Sequence, residues 1–396
     1  MDAAPLFDQL RVEVVDPEGV LACTGCRQDF VVARDQHARG ETTFAVLAPA
    51  RRSDLRVRLR LFRSVRLRSE DPPVDGTIDG LFTLPVIAEE GVVRGSVFLP
   101  LESVGQAIDL AVEPPSIELG AIAPHAMHEG VVPKACTIPL GADEVCVPSG
   151  AYWMSSANEA RTLAPEDPPE RIVAIAPFIV DRAEVTVAGM RASMLAVVGD
   201  PVRTSGTSTE CTYTDAPSAN DALPVTCVSW SMADRFCKAL GKRLLTEAEF
   251  EFMSSNRRSL RYVWGSDPPG CRDVVHARSS DDEGVPGVDD ACIELGIGPA
   301  PAGTGLRDVL DLPSGSVTDL AGNVAEWTQD RAVPLSDACW GAGFFVDPLC
   351  KATEADSHIT RGTSWSTTSL PARATYRVGK PFGDASTGFR CARNGI

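Results

Sequence analysis

The sequence SVTDLAGNVAEWTQD, residues 316–330, decides how the rest of the chain is interpreted. It places Asp319, Gly322, Asn323, Glu326 and Trp327 close together, in a stretch with neither helical nor strand periodicity. Ca2+ takes about six to eight oxygen ligands, and a glycine allows a loop to turn tightly around the ion. The composition of this stretch is compatible with a calcium-binding loop. The alternative is a metal-free loop closed by hydrogen bonds from the Asp, Asn and Glu side chains.

Two short amphipathic helices are predicted upstream of this loop, within residues 224–252. The first is expected to have Ser231 as its N-cap and to end just before Gly241. The second begins with a capping box, in which Thr246 and Glu249 satisfy each other's backbone N–H groups. One face of the first helix is apolar and comprises Ala233, Phe236, Cys237 and Leu240.

The first 115 residues consist of short apolar runs separated by turns, which is typical of β-structure. Within residues 51–70, Leu and Val alternate with Arg56, Arg58 and Arg60, the period of a strand with one polar face. We interpret these arginines as a solvated face, with an anionic docking surface as the alternative. The predicted organisation is a small antiparallel, sandwich-like β domain at 1–115, a linker at 116–134 and a turn-rich domain at 135–396.

Composition limits the classes of partner and the compartment. The net charge of −17 disfavours nucleic acid, because phosphate binding requires a basic surface. No apolar run is long enough to cross a bilayer, and residues 1–9 do not have the pattern of a signal peptide. The twelve cysteines lie mostly in loop-like sequence, which favours an oxidising compartment. We therefore expect a secreted, periplasmic or cell-surface protein whose export signal, for example a lipoprotein signal, has been removed.

Four motifs occur in a fixed order: PVTCVSWSMADRFCKALGKRLLTEAEFEF at 224–252, the stretch at 316–330, RGTSW at 361–365 and GFRC at 388–391. Together they resemble the sulfatase-modifying factor family, whose type member is the formylglycine-generating enzyme. The resemblance extends from about Cys136 to the C-terminus and does not include the N-terminal β domain. It implies a loop-rich relative of the C-type lectin fold, so the expected fold class of the whole chain is α+β.

The resemblance implies a calcium site in the segment 319–326. Carried over by position, Asp319 and Glu326 supply carboxylate oxygens, Gly322 and Val324 supply main-chain carbonyls, and Trp327 points inward to anchor the loop. A second calcium site of the family falls near the acidic insert 279–292, where the spacing does not match. We interpret that insert as a solvated loop; its acidic residues are Asp281, Asp282, Asp289 and Asp290.

The resemblance also identifies what this chain lacks. Catalysis in the family uses two cysteines that hold copper as thiolates, between the motifs equivalent to RGTSW and GFRC; thiolates suit Cu(I) and hydroxyl groups do not. Here the interval 365–389 contains no cysteine, and a Ser/Thr run at 366–369 stands in place of the first one. The chain is therefore not expected to make formylglycine. By position, the family implies a Cys237–Cys391 disulfide; the other cysteines are grouped by proximity as 23–26, 136–146, 211–227, 271–292 and 339–350.

The favoured function is that of an exported binding or structural protein, a pseudoenzyme that takes a protein, peptide or glycan in the groove of the C-terminal domain. The predicted groove residues are aromatic, hydroxyl or cationic: Trp340, Phe344, Phe345, Trp365, Ser366, Thr367 and Arg373. For Trp340 and Trp365, packing in the core is the alternative role. The arginines of the motifs are interpreted as scaffold residues that pair with buried carboxylates; they are Arg361, Arg377 and Arg390.

Two other classes of function stay open. One is an enzyme of the same fold with a different chemistry, such as non-heme iron, for which His276 and His358 are the histidines of the C-terminal domain; such a centre needs two histidines and a carboxylate. The other is a ligand-display protein diversified between the RGTSW and GFRC motifs, to which the polar run 366–369 is suited. In the linker, His125 and His128 have metal-ligand spacing but the linker contains no cysteine, and they are assigned no site.

Overall fold

The computed structural model describes the chain as two compact units. The first comprises Met1–Val132, Pro169–Ile172 and Ala342–Phe345, and the second Pro133–Pro168, Val173–Gly341 and Val346–Ile396. The boundary at 132–133 lies within residues 116–134. The residues that the structure describes are 6–33, 43–46, 54–67, 71–86, 93–110, 112–119, 132–155, 170–193, 211–279, 290–340, 343–352, 356–367 and 372–396.

The described part of the first unit is mostly antiparallel β-structure. Strands β1 (Gln9–Val15), β2 (Arg27–Val31), β3 (Arg56–Phe62) and β4 (Ile78–Thr83) form a sheet in the order β2-β1-β3-β4. A separate short pair is formed by β5 (Gly95–Ser96) and β6 (Glu118–Leu119), and 3-10 turns lie at Ser64–Arg66, Val74–Gly76 and Leu101–Ser103. One face of the main sheet packs a core that contains Leu10, Val12, Val57 and Leu59. The alternating pattern in residues 51–70 thus corresponds to β3.

The opposite face of this sheet carries ion pairs. The interpretation of its arginines as a solvated face is wrong for Arg60. Arg60 is only 7% exposed, and its Nη1 atom lies 3.1 Å from Asp71 Oδ1. Arg11, opposite Arg60 on β1, is also buried and lies 2.7 Å from Asp29 on β2. A guanidinium is tolerated in a buried position when a carboxylate neutralises it. The carboxylates come from other strands and loops, so the local alternation gave no sign of them.

The second unit consists of short strands and helices joined by long loops. Its helices are α1 (Val187–Ala192), α2 (Trp230–Ala239), α3 (Glu247–Ser254) and α4 (Asp290–Ile293), with a 3-10 turn at Ala219–Ala222. Its strands, of which β9 and β15 begin in the first unit, are β7 (Glu144–Val147), β8 (Gly150–Met154), β9 (Arg171–Ile175), β10 (Phe178–Asp181), β11 (Arg243–Leu244), β12 (Val309–Leu312), β13 (Gly315–Thr318), β14 (Ala325–Arg331), β15 (Phe344–Val346), β16 (His358–Arg361), β17 (Arg377–Lys380), β18 (Thr387–Gly388) and β19 (Cys391–Asn394).

Ten of these strands form two small sheets and a hairpin. One sheet has the order β11-β19-β10-β7 and the other β17-β16-β14-β18, while β12 and β13 pair as a hairpin. Beside them, α2 packs one face into a core that includes Met190, Met232, Phe236, Trp327 and Phe389. The Trp327 indole is 1% exposed and donates to the Val228 carbonyl at 2.8 Å. It therefore fixes β14, and with it the end of the 316–330 stretch, to the core.

The helix ends follow capping chemistry with one correction. Helix α2 begins two residues earlier than expected, because Ser229 rather than Ser231 accepts a hydrogen bond from the Met232 N–H at 3.2 Å. It ends before Gly241, which has φ of +69°, as predicted for the residue after a helix. Leu240, expected on the apolar face, is 53% exposed. Among the described residues, no helix has the length and apolar character needed to span a membrane.

The second predicted helix has the expected start. Thr246 accepts from the Glu249 N–H at 3.1 Å, and Glu249 accepts from the Thr246 N–H at 2.8 Å. This capping box begins α3, whose side chains from Glu247 to Ser254 are all buried. Because α3 is surrounded by protein, its three glutamates need partners inside the fold.

Disulfide bonds cross-link the loops of both units. The twelve cysteines form six disulfides, in the pairs that sequence proximity and the family resemblance gave: Cys23–Cys26, Cys136–Cys146, Cys211–Cys227, Cys237–Cys391, Cys271–Cys292 and Cys339–Cys350. No thiol is left free, since these six bonds use every cysteine of the chain. Cross-links of this number compensate for the limited regular structure by restricting the unfolded chain.

Candidate functional site

Segment 319–326 follows β13 and leads into β14; we refer to it as loop 319–326. Asp308, which precedes β12, accepts hydrogen bonds from the backbone N–H groups of residues 320–322 at 2.9–3.0 Å. Asp319 and Asn323 have φ of +58° and +68°, a left-handed conformation that Asp and Asn adopt more readily than most residues. Burial, with a further contribution from Asp319, raises the pKa of Asp308 to about 7. Asp308 thus fixes the loop backbone, a role that sequence reasoning missed.

Gly322 is required by close packing rather than by the turn. A Cβ atom at this position would lie 2.2 Å from Val274 Cγ1 and 2.7 Å from the Val275 carbonyl oxygen. The next residue, Asn323, donates its backbone N–H to that same carbonyl at 2.9 Å. The sequence-based explanation, a tight turn around an ion, is corrected accordingly. The loop lies directly against residues 274–275, and any side chain at position 322 would displace it.

All four predicted calcium ligands belong to this buried loop. Asp319 and Glu326 are each 1% exposed. Within the described part of the chain, the carbonyl groups of Gly322 and Val324 accept no hydrogen bond. Buried carbonyls are nearly always hydrogen bonded, so two free carbonyls in one loop suit a cation that is coordinated by main-chain oxygens. The residues present therefore fit a calcium ion, which takes carboxylate and carbonyl oxygens.

Arg390 shares Glu326 with this loop. Its fully buried guanidinium donates to both Glu326 carboxylate oxygens at 2.6–3.0 Å, and to the carbonyl oxygens of Thr318 and Asp319 at 2.9 and 3.0 Å. Burial raises the pKa of Glu326, while the positive charge of Arg390 opposes that rise. Because a carboxylate has about four lone-pair sites, Glu326 is able to accept from Arg390 and still coordinate a metal ion.

Glu184 also faces the loop, although no pattern in the sequence pointed to it. This residue lies between β10 and α1, is 3% exposed and accepts through Oε2 from Asn323 Nδ2 at 3.3 Å. Burial raises its pKa well above the usual value, and the charges of Asp319 and Glu326 raise it further. When ionised, these three carboxylates face the guanidinium of Arg390, and among the described residues negative charge is in excess around the loop. Such an excess in a buried place calls for a cation or for protons.

The arginines of the RGTSW motif and of β17 satisfy the glutamates of α3. Arg361 is fully buried and lies 3.2 Å from Glu247 and 2.6 Å from Glu251. Arg377 lies 2.6 Å from Glu247. The interpretation of these arginines as scaffold residues is confirmed, and the network holds β16 and β17 against α3.

The segment after Arg361 presents hydroxyl groups. Ser364 Oγ lies 2.7 Å from Thr367 Oγ1 and 3.1 Å from Ser366 Oγ, and both of the latter residues are half-buried. Thr368 and Ser369 lie outside the described residues. Since every cysteine is in a disulfide, no pair of thiolates is available to hold copper in the oxidised chain.

The predicted groove residues fall in different environments. Trp340 is fully buried, and Trp365 is 5% exposed and donates its indole N–H to the Ala385 carbonyl at 3.0 Å. Both pack in the core, which was their alternative role, and neither offers an exposed ring. Phe344 and Phe345 are half-buried and belong to the first unit, while Arg373 in the second unit is 8% exposed. Of the predicted groove residues, the half-buried Ser366 and Thr367 thus offer accessible hydroxyl groups.

Comparison with known proteins identifies the family. The sulfatase-modifying factor enzyme 1-like domain matches residues 129–395. The chain belongs to this family. Among curated relatives is the protein named inactive C-alpha-formylglycine-generating enzyme 2, from Bos taurus (30% identical over 180 residues, 43% of this chain and 50% of that protein) and from Mus musculus (31% over 182 residues, 43% and 49%). The chain spans about half the length of these relatives.

Among solved structures, PvdO from Pseudomonas aeruginosa is similar, with 20% identity, a TM-score of 0.48 and coverage of 63% of this chain and 94% of that one. The sulfatase-modifying factor enzyme 1-like domain includes loop 319–326, the hydroxyl segment and all four motifs of the resemblance. The strands β1 to β6 of the first unit lie before it. Relatives that carry the word inactive in their names agree with a formylglycine-generating-enzyme-like domain that lacks the catalytic cysteines.

The two histidines considered as iron ligands, His276 and His358, are both buried. His358 begins β16, and its ring stacks on Trp230 with centroids 3.7 Å apart and planes at 10°. Burial, aided by the charge of Arg331, lowers the pKa of His358 to about 4. His276 is 2% exposed. Within the described ranges, no group of three His, Cys, Asp or Glu side chains is arranged to hold a metal, so a calcium ion at loop 319–326 would depend on main-chain oxygens.

Two other segments considered for metal binding lie wholly or mostly outside the described residues. His125 and His128 fall in the undescribed range 120–131. Most of the acidic insert falls in 280–289, and Asp290 begins α4.

Proposed function

We propose that this chain is an exported binding or structural protein whose C-terminal domain is a catalytically inactive, calcium-stabilised member of its family. The observation that carries the proposal is the absence of cysteine from the interval where the family resemblance places the catalytic pair. The interval 365–389 has no cysteine, and all twelve cysteines of the chain are joined in disulfides. Copper held by thiolates is the chemistry that the family resemblance implies for formylglycine formation, and hydroxyl groups do not supply it.

Calcium is proposed as the resident ion of loop 319–326. Asp319 and Glu326 would hold it through carboxylates, and Gly322 and Val324 through their carbonyls. The support comes from the free buried carbonyls and from the excess of carboxylates over guanidinium groups around the loop. The ion would stabilise the fold, because it binds a site that exists only in the folded chain.

Export to an oxidising compartment is proposed from the disulfides. Six disulfides in one chain are stable in secreted, periplasmic or cell-surface proteins, whereas a reducing cytosol would open them. The finer architecture belongs to the same proposal: a sandwich-like first domain, and a second domain related to the C-type lectin fold.

A protein, peptide or glycan is proposed as the ligand of the second unit. The half-buried hydroxyls of Ser366 and Thr367 lie beside the family's catalytic position and offer hydrogen-bond donors and acceptors. Among the described residues, no histidine is hydrogen bonded to Ser364, Ser366 or Thr367, so no histidine acts there as a base that would activate a hydroxyl as a nucleophile. These hydroxyls are therefore proposed to bind polar groups rather than to catalyse a reaction.

Metal content tests the proposal. Protein purified without chelator is expected to contain one calcium per chain by elemental analysis, and its melting temperature is expected to fall in EDTA and recover with added Ca2+. Stoichiometric copper or iron in place of calcium would overturn the proposal and favour an enzyme.

Catalytic silence is tested separately by mass spectrometry. The protein is incubated with Cu(I) and a cysteine-containing sulfatase peptide, next to an active formylglycine-generating enzyme. We expect formylglycine only with the active enzyme; its formation by this chain would refute the proposed loss of activity.

A further inference from the structure

Glu184 is a buried carboxylate with an unsatisfied oxygen, and it lies outside the four motifs at 224–252, 316–330, 361–365 and 388–391. Its Oε1 atom is buried and has no hydrogen-bond partner in the described part of the chain. Its other oxygen, Oε2, accepts from Asn323 at 3.3 Å. A buried carboxylate normally has its oxygens paired, so the position of Glu184 needs a reason beyond packing.

Asn323 connects Glu184 to the proposed main-chain ligands. It lies between Gly322 and Val324, whose carbonyls are free of hydrogen bonds within the described residues. Its side-chain oxygen accepts from the Ala300 N–H at 2.9 Å, and its amide nitrogen donates to the Ala300 carbonyl at 3.1 Å and to Glu184. The fully buried side chain is therefore held from two sides, and the two flanking carbonyls are fixed with it.

The arrangement is unfavourable without a cation. Glu184 repels Asp319 and Glu326, and its burial removes hydration that, among the described residues, only the Asn323 side chain replaces. Arg390 pairs with Glu326 and makes no ion pair with Glu184 within 4.0 Å among the described residues. A divalent cation in the loop would reverse the sign of this interaction, because it neutralises excess negative charge.

We propose that Glu184 is a positioning residue of the calcium site: it orients the Gly322 and Val324 carbonyls through Asn323 and adds a negative charge beside the ion. This inference rests on the proposed function of loop 319–326. Glu184 acts from outside the coordination sphere, which agrees with the lack of a three-carboxylate cluster within metal distance in the described residues. Outer-shell carboxylates of this kind typically change metal affinity about 10- to 100-fold.

The substitution Glu184→Gln tests the inference, because glutamine keeps the shape and the acceptor for Asn323 but removes the charge. Calcium affinity is measured by calorimetry on chelator-treated protein, and melting temperature is measured in EDTA and in saturating Ca2+. The variant is expected to bind Ca2+ about 10-fold or more weakly, to melt higher than the wild type in EDTA and to gain less from calcium. The weaker calcium affinity is the result that distinguishes this role, because a purely structural residue would change the melting temperature without changing the affinity for Ca2+.

Glu251→Gln is the matched control. Glu251 is also buried in the second unit, but it pairs with Arg361 at 2.6 Å, so its replacement is expected to lower the melting temperature in EDTA and to leave calcium affinity unchanged. If the wild type gains no stability from Ca2+, the calcium site itself is refuted and the role of Glu184 with it. If the wild type responds and Glu184→Gln binds with the same affinity, the calcium site stands and the role of Glu184 is overturned.

Discussion

At the scale of single residues, His358 shows how burial of a titratable side chain makes the stability of the fold depend on pH. Its ring stacks on Trp230, whose indole N–H is held by the Thr328 carbonyl at 2.7 Å. Desolvation and the neighbouring Arg331 lower the pKa of His358 from 6.5 to about 4. The unfolded chain thus binds a proton at this residue more readily than the folded chain does. The stability that His358 contributes is present above pH 6.5 and is lost as the pH falls through 4.

We predict that His358→Phe reduces the loss of stability between pH 6.5 and pH 4. Phenylalanine keeps the stack on Trp230 but cannot be protonated, so its folded and unfolded states bind the same number of protons at this position. The measurement is the free energy of unfolding by urea at several pH values, with calcium constant. Carboxylates titrate in both proteins and cancel in the difference. Parallel curves for the two proteins would show that His358 is not the titrating group.

At the scale of secondary structure, the capping box of α3 supports more than the helix itself. The helix carries Glu247 and Glu251, which neutralise Arg361 and Arg377. We predict that Thr246→Ala lowers the free energy of unfolding by about 1 kcal/mol, because the Glu249 N–H loses its acceptor. Thr246→Ser keeps the hydroxyl and is expected to stay close to the wild type. Urea unfolding measures both; equal losses for alanine and serine would exclude capping as the cause.

The elements also show where sequence reasoning succeeds and where it stops. Local signals were sufficient for the α3 capping box and for β3, since the decisive contacts lie within a few residues. They were insufficient for α2, where Ser229 and Ser231 are both good N-caps by residue type and the helix begins after the first. They also failed for Arg60, because the carboxylates near it lie on other strands and on a loop: Glu13, Asp71 and Asp79.

At the scale of the whole molecule, the same limit explains the candidate site. Loop 319–326 was found because its donors are contiguous in sequence and match a family motif. Asp308 and Glu184 were not found, because one acts through backbone N–H groups and the other reaches the loop from the β10–α1 connection. The aromatic groove was predicted from residue type alone, which does not distinguish a buried tryptophan such as Trp340 from an exposed one.

The Cys237–Cys391 disulfide joins α2 to β19 and has the longest sequence separation of the six, 154 residues. In the chain-entropy account, a loop of this length stabilises by about 5 kcal/mol, whereas the separation of 10 in Cys136–Cys146 gives about 3 kcal/mol. We predict that Cys237→Ala with Cys391→Ala lowers the free energy of unfolding more than Cys136→Ala with Cys146→Ala, measured by urea in saturating calcium. The first pair is also buried in the core, so its removal leaves a cavity that adds to the loss. An equal or smaller loss for the 237–391 variant would mean that restriction of the unfolded chain does not set the stability of this domain.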